Sequence, residues 1–583
     1  MKTLKGIPVS PGIAFAEALV IDDEGFRIQN SYVAEDKATE EALRYENAFS
    51  VAQQEIACNA GVVEQELGNQ YGAIFQAHLA IMEDSTLRKE IRDLILNNHY
   101  SAEYAVTVVF KAYAEKFRKI NNEYLSQRAG DVIDIEKRVM RILMGIHPDS
   151  QVPLDKDLIV LAHNLTPSET TSLNKKCIRA FVTEIGAKGS HTAIVAEALE
   201  IPAVVGLGKF LHLVKGGQKV IVDGNVGVLI IDPTPETVES YKALLERDQR
   251  ERDESKDLDT QECHSKDGTR IHIYGNVEFP FETARCMERG ADGIGLFRTE
   301  FLYMTSELTL DEESHFKTYK EVVEGMQGKP VTIRTYDLGS DKIPTDLIPD
   351  VEKNPALGLR SIRLSLYMLE MFRKQLRAIL RASVYGKVNI LFPMISTLTE
   401  WRRVKMIVHD TFEDLDERGV PFDHNVQLGI MVEVPSTVMM IDEFLSTVDF
   451  VSIGTNDLIQ YTLAADRTNK DVAPLFTGCD PSVIRLIWKV VTAAGKAEKP
   501  VSLCGQMGGD PLYTMLLLGL GLRSFSVPPT VIRDVKRVCQ AVSTLECREL
   551  AFRVLRTDNA NDIKSILQRE LSTALPQLYR FDD

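Results

Sequence analysis

Cysteine is sparse in this 583-residue chain: eight residues are scattered along it with no CxxC pair. That argues against zinc sites and against a disulfide framework. Long apolar runs are missing too. The most apolar stretch, MLLLGLGL at 515–522, falls well short of the roughly 20 residues that a membrane-spanning helix needs. Positive charge is in deficit, with 67 Lys and Arg against 84 Asp and Glu and a net charge of −17. So acidic a chain repels polyphosphate and anionic lipid, which excludes non-specific nucleic-acid and membrane-surface binding. An anionic substrate would need a local cluster of Arg and Lys. The N-terminus, MKTLKGIPVSPGIAFAEALV, places Pro8, Ser10 and Pro11 where an export signal requires an apolar run. The expectation is a cytoplasmic protein.

Proline is absent between Pro11 and Pro148, an interval rich in Ala, Glu, Leu, Lys and Gln. Phe75, His78 and Met82 recur there at helical spacing, as do Ala105, Val108 and Val109, which predicts a helical subdomain over 26–147. The flanking segments, 1–25 and 148–232, carry short β-rich runs such as DLIVLAH, IRAFVT and KVIVDG. They predict one α/β domain into which the helices are inserted. A polar stretch follows, with Val238, Tyr241 and a Leu pair as its few apolar residues, and 233–262 is expected to be a solvated helical linker. From 263 to 583 the rhythm changes. IHIYGN, GIGLF, VTIRTYD, NILFPMI, LGIMVEV, FVSIG, PVSLCG and SFSV alternate with amphipathic segments such as EMFRKQLRAILRAS. Eight buried-type strands alternating with helices predict a (β/α)8 barrel, whose chemistry belongs at the C-terminal strand ends.

Two groups of residues carry candidate chemistry. In GAKGSHTAIVAEALEIPAVVG (186–206), His191 stands at the start of an expected helix. The positive end of the helix dipole favours its neutral, nucleophilic imidazole and would stabilise a phosphoryl group attached to it. In the barrel, Arg298, Arg334 and Arg360 fall at or near strand ends, with Asp337, Asp341 and Lys342 close in sequence. Arginine forks match carboxylate and phosphate oxygens, so several at one mouth suit a small, multiply charged anion. Glu433 and Asp457 also sit at strand ends, without His or Cys nearby, flanked by Asn456 and Arg467. That donor set suits Mg²⁺. Cys504, just past another strand, is a candidate general acid.

These motifs resemble the phosphoenolpyruvate-utilising enzymes, and in particular the Enzyme I group of the bacterial phosphotransferase system. GAKGSHTAIVAEALEIPAVVG is similar to the phosphohistidine signature, and LTPSET at 165–170 to the matching upstream element. The resemblance runs from KGIPVSPGIAFAEA to SFSVPP. It implies a swivelling phosphohistidine α/β domain, an inserted helical subdomain that docks the phosphocarrier protein HPr, and a C-terminal (β/α)8 barrel that binds phosphoenolpyruvate and forms a homodimer. It further implies that His191 accepts the phosphoryl group, with Thr170 beside it, and passes it to HPr. Arg298, Arg334, Asn456, Asp457 and Arg467 would contact the substrate, supported by Lys342 and Arg360. Glu433 and Asp457 would bind Mg²⁺, and Cys504 would protonate carbon 3 of the enolate. Gln506 and Ser340 replace residues usual in the family, which keeps a non-catalytic regulator as a rival reading. A dikinase or synthase of the same family would need an ATP-grasp module, and the residues before His191 have no Gly-rich phosphate loop.

Overall fold

The computed structural model describes residues 1–10, 12–21, 31–67, 78–79, 81–119, 123–144, 157–163, 177–186, 196, 201–254, 261–305, 311–339, 352, 354–467, 469 and 471–576. Two compact units meet in sequence at Arg252 and Asp253.

The first unit is built on one mixed sheet. Its strands are β1 (Lys2–Lys5), β2 (Ile7–Ser10), β3 (Ile13–Ile21), β4 (Leu158–Ala162), β5 (Ile178–Thr183), β6 (Ala203–Val205), β7 (Lys219–Asp223) and β8 (Val228–Ile231). They lie in the order β1-β8-β7-β3-β4-β5-β6-β2. The central β3, β4, β5 and β6 are parallel, and the remaining pairs are antiparallel. Side chains alternate across a strand, and both faces here are apolar. Ile159 and Leu161 of β4 join one core layer with Ala16 and Val182, while Val160 and Ala162 join another with Phe181 and Ala203.

Parallel neighbours need a long crossover, and between β3 and β4 it contains helices Ala38–Leu67, Ser85–Asn98, Ala102–Lys119 and Glu123–Leu143. The first of these buries Ala38, Ala42, Tyr45, Phe49, Ala52 and Ile56, a stripe spaced alternately by four and three residues. His78 and Met82 are buried as well, with His78 Nδ1 3.8 Å from Asp134, so both belong to the core. Asp84 caps helix Ser85–Asn98 by accepting from Thr86 N at 2.8 Å. Phe75 lies outside the described residues.

The Glu136 carboxyl of this subdomain is held above its ordinary range. Burial pushes Glu136 up to about 7, against the pull of Lys111 and of the Thr107 hydroxyl. The sign follows from linkage. A carboxyl raised in the folded state leaves stability intact below its unfolded pKa of 4.5, and stability is lost as pH rises through about 7. Glu136→Gln is therefore expected to match the parent near pH 4.5 and to exceed it near pH 8, by up to about 3 kcal/mol. Hydrogen exchange of peptides from helix Glu123–Leu143 reads this directly, and a pH-independent difference would contradict it.

The polar stretch forms helix Pro235–Glu254. Its first half is not simply solvated: Val238, Tyr241, Leu244 and Leu245 pack against Ile13, Ile221 and Ile230 of the sheet. The few apolar residues of that segment are the ones that anchor it.

The second unit is a closed barrel of eight parallel strands. They are β9 (His272–Val277), β10 (Ile294–Phe297), β11 (Val331–Arg334), β12 (Val388–Phe392), β13 (Gln427–Val432), β14 (Phe450–Gly454), β15 (Val501–Cys504) and β16 (Ser524–Val527). Each pairs with its sequence neighbour, and β16 closes on β9. Helices return the chain between strands. Leu369–Ala382 buries Phe372, Leu376, Ile379 and Leu380 on one face, as its amphipathic sequence requires. No described helix is long and apolar enough to cross a membrane.

Candidate active site

Polar side chains gather where the barrel strands end. Arg298 follows β10, Arg334 closes β11, Glu433 follows β13, Asn456 and Asp457 open the helix after β14, and Cys504 closes β15. In a parallel barrel these positions lie on one face.

Asp337 ties the arginines together. Its Oδ2 lies 3.2 Å from Arg334 Nη1 and its Oδ1 2.9 Å from Arg360 Nη2. Although burial acts to raise it, Arg334 and Arg360 hold this carboxyl down at about 2. Arg334 Nη2 also donates to Glu300 Oε1 at 2.9 Å, and Asp337 N donates to the same oxygen at 3.0 Å. Burial opposes the charge on Arg334, but Glu300, Asp337 and Glu433 raise its pKa. Arg334 Nε is buried with no hydrogen-bond partner among the described residues. Arg360 Nη1 reaches Asp457 Oδ1 at 3.3 Å and the Tyr461 hydroxyl at 3.2 Å.

Glu433 is 2% exposed, and its Oε1 accepts from Met394 N at 2.6 Å. Gly454 makes room for it, since a Cβ there would meet Glu433 Oε2 at 2.6 Å. Burial raises its pKa well above the usual range, and the charges of Asp457 and Asp337 add to this, against the pull of Arg334. An isolated buried carboxylate beside two others is costly unless a cation offsets it.

Cys504 is buried beside Leu296, Leu391 and Met431. The Ser452 hydroxyl donates to its sulfur at 3.5 Å, and the thiol donates to Ile453 O at 3.5 Å. Burial pushes the thiol pKa up. Ser452 and the Arg334 and Arg298 charges act downward, and Glu433 acts upward. Gln506 contributes through its backbone, whose N–H donates to Asn456 Oδ1 at 3.0 Å.

The structure therefore brings together Arg334, Arg360, Glu433, Asp457 and Cys504, with Asn456 at the edge. Arg298 stands further out, 4.0 Å from Glu278 and 41% exposed. Arg467 is exposed, with no ion pair among the described residues. His191, Thr170 and Lys342 lie outside the described residues. For His191, the described frame is the parallel pair β5 and β6 that brackets its segment, together with buried Ala196. Sequence reading missed Glu300 and Tyr461. Glu300 stands two positions after Arg298 at a strand end. Tyr461 follows Asp457 by four residues, one helical turn.

A closed parallel barrel with arginines and paired carboxylates at its C-terminal strand ends defines an enzyme site for a small anion. Three family models match this chain: the N-terminal domain of PEP-utilising enzymes over residues 5–128, their mobile domain over 154–227 and their PEP-binding domain over 252–544. A phosphoenolpyruvate-protein phosphotransferase from Bacillus sp. (strain S) is 40% identical over 574 residues, covering 98% of this chain and 99% of the relative. One from Staphylococcus carnosus (strain TM300) is 38% identical over 574 residues, covering 98% and 100%. A solution structure of an Enzyme I protein (nEIt) is 37% identical, covers 42% of this chain and 99% of its own, and superposes with a TM-score of 0.38. The chain belongs to the PEP-utilising enzymes, within their phosphoenolpyruvate-protein phosphotransferase group.

Proposed function

We propose that this enzyme moves the phosphoryl group of phosphoenolpyruvate onto His191 and from there onto a histidine of an HPr-like phosphocarrier, the first step of a phosphotransferase system. The observation that carries the reading is the cluster of Arg334, Arg360, Glu433, Asp457 and Cys504 at one mouth, with Arg334, Glu433 and Cys504 buried. Phosphoenolpyruvate presents a carboxylate and a phosphate, and Arg298, Arg334 and Arg467 with Asn456 are assigned to them, supported by Lys342 and Arg360. Asp337 and Glu300 orient the Arg334 and Arg360 guanidinium groups in advance, so little reorganisation accompanies binding.

Mg²⁺ fits the residues present. Glu433 and Asp457 are oxygen donors whose mutual repulsion a divalent cation relieves. When bound, the ion would supply charge neutralisation at the phosphate oxygens. His191, beside Thr170, attacks phosphorus in line through one ring nitrogen, and the bond between phosphorus and the bridging oxygen breaks. The electron pair left on that oxygen forms an enolate, and Cys504 gives its proton to carbon 3 to yield pyruvate. A thiol whose pKa is raised by burial stays protonated at neutral pH, as a general acid must.

In this reading residues 1–25 and 148–232 form the phosphohistidine domain, 26–147 the HPr-docking subdomain, and 233–262 the linker about which they swing. Residues 263–583 bind phosphoenolpyruvate and dimerise, and the enzyme works in the cytoplasm. Phosphate transfer from phosphoenolpyruvate to purified HPr is the test. Binding of phosphoenolpyruvate without transfer would favour the regulator instead. Within the same assay, Cys504→Ala is expected to slow pyruvate formation by roughly 10²–10⁴-fold. Phosphoenolpyruvate affinity and transfer from phosphorylated His191 to HPr should hardly change. Near-parental turnover would remove Cys504 from the mechanism.

A further inference from the structure

The barrel carries a second concave site, away from the strand ends that hold the catalytic groups. Helices Pro481–Lys496, Pro511–Gly519 and Thr544–Leu555 enclose a cleft of about 500 Å³. Arg523, on its lining, immediately precedes β16, so the cleft lies toward the N-terminal ends of the strands. Gly519 sets its floor. A Cβ there would collide with the Cys547 carbonyl, so only glycine lets the second and third helices approach this closely.

The lining is amphipathic in a specific way. Trp488, Leu545 and Phe552 are 43%, 65% and 46% exposed, large apolar groups left open around one concavity. Arg523 and Arg548 join them, and neither forms an ion pair among the described residues. Arg523 uses Nη1 on the carbonyls of Leu518 and Leu522, at 2.9 and 2.7 Å. The carboxylate of nearby Asp267 is taken up by Thr544, from its N–H at 2.9 Å and its hydroxyl at 2.6 Å. Arg548 holds its guanidinium 5.5 Å from the Phe552 ring centre. Burial lowers the Arg523 pKa, with Asp267 opposing this. In a chain of net charge −17, two arginines without a carboxylate partner among the described residues, at one cleft, suit an anion. The volume falls in the range of small-molecule sites, about 300–1,000 Å³.

We propose that this cleft binds a small organic anion, a carboxylate or phosphate ester on a flat apolar body, with its oxygens on Arg523 and Arg548 and its body against Trp488 and Phe552. The site is separate from the phosphoenolpyruvate mouth and does not depend on the reading of that mouth.

The chain has two tryptophans, and Trp401 is 1% exposed, so quenchable emission reports Trp488. Titration of the full-length protein with 3-phenylpropionate and with phenyl phosphate should each give a saturable change in emission and one-to-one heat of binding. Whichever binds tighter identifies the carboxylate or the phosphate class. Uncharged 3-phenylpropanol should bind at least tenfold more weakly, and inorganic phosphate alone should give no saturation. Arg523→Gln should weaken the aryl anions at least tenfold. Arg548→Gln, on an exposed side chain that leaves the fold intact, should weaken them severalfold while phosphoenolpyruvate turnover stays at the parental level. Unchanged affinity in Arg548→Gln, or no saturable response to either anion, would overturn the proposal. So would self-association that Leu545→Glu abolishes in a chain that binds neither anion, because the cleft would then be a contact between copies.

Discussion

Glu433→Ala and Asp457→Ala are each expected to abolish phosphorylation by phosphoenolpyruvate, a loss of about 10³-fold or more. A bound divalent cation is worth several kcal/mol to a transition state that gathers charge on phosphate oxygens, and each variant removes one of the two carboxylates proposed to hold it. The buried setting makes the effect sharp. Glu433 is 2% exposed, with one oxygen on Met394 N and the other against Gly454, so no neighbour can take its place. Transfer in the reverse direction, from phosphorylated HPr to His191, uses none of these groups and should persist. The two reactions measured on one preparation separate the alternatives. Loss of both would give the carboxylates a structural role. Retention of both would remove the metal site from the mechanism.

His191→Ala is the second large effect. The variant should take up no phosphate from either phosphoenolpyruvate or phosphorylated HPr, because no other group is assigned to attack phosphorus. It should still bind phosphoenolpyruvate, since Arg334, Arg360 and Glu433 belong to the other unit. The parent should gain one phosphoryl group that is lost in acid and kept in alkali, as a phosphoramidate behaves. Uptake of acid-stable phosphate, or of any phosphate by the variant, would move the acceptor elsewhere.

The barrel was legible in the sequence for a physical reason. Parallel strands covered on both faces carry continuous apolar runs, and VTIR, FVSIG and SFSV stand out against the amphipathic helices between them. Arg334, Glu433 and Cys504 were legible for a related reason: each is a polar group at the end of such a run. Glu300 was not, because its role lies in holding Arg334 and the Asp337 backbone across 34 and 37 residues of chain. Tyr461 likewise acts through Arg360, a partner 101 residues away. The anchoring of helix Pro235–Glu254 was hidden for another reason. Four apolar residues among many charges look solvated until the sheet face that receives them is known.

The central claim is a relay, and one rapid-quench experiment tests it most directly. The enzyme, Mg²⁺ and HPr are mixed with phosphoenolpyruvate labelled in its phosphoryl group, and the label on each protein is followed in time. Label should reach the enzyme first, map to His191, and then decline as it accumulates on the HPr histidine, with one pyruvate formed per label transferred. Label that reaches HPr without passing through the enzyme, or that stays on the enzyme while pyruvate accumulates, would contradict the account.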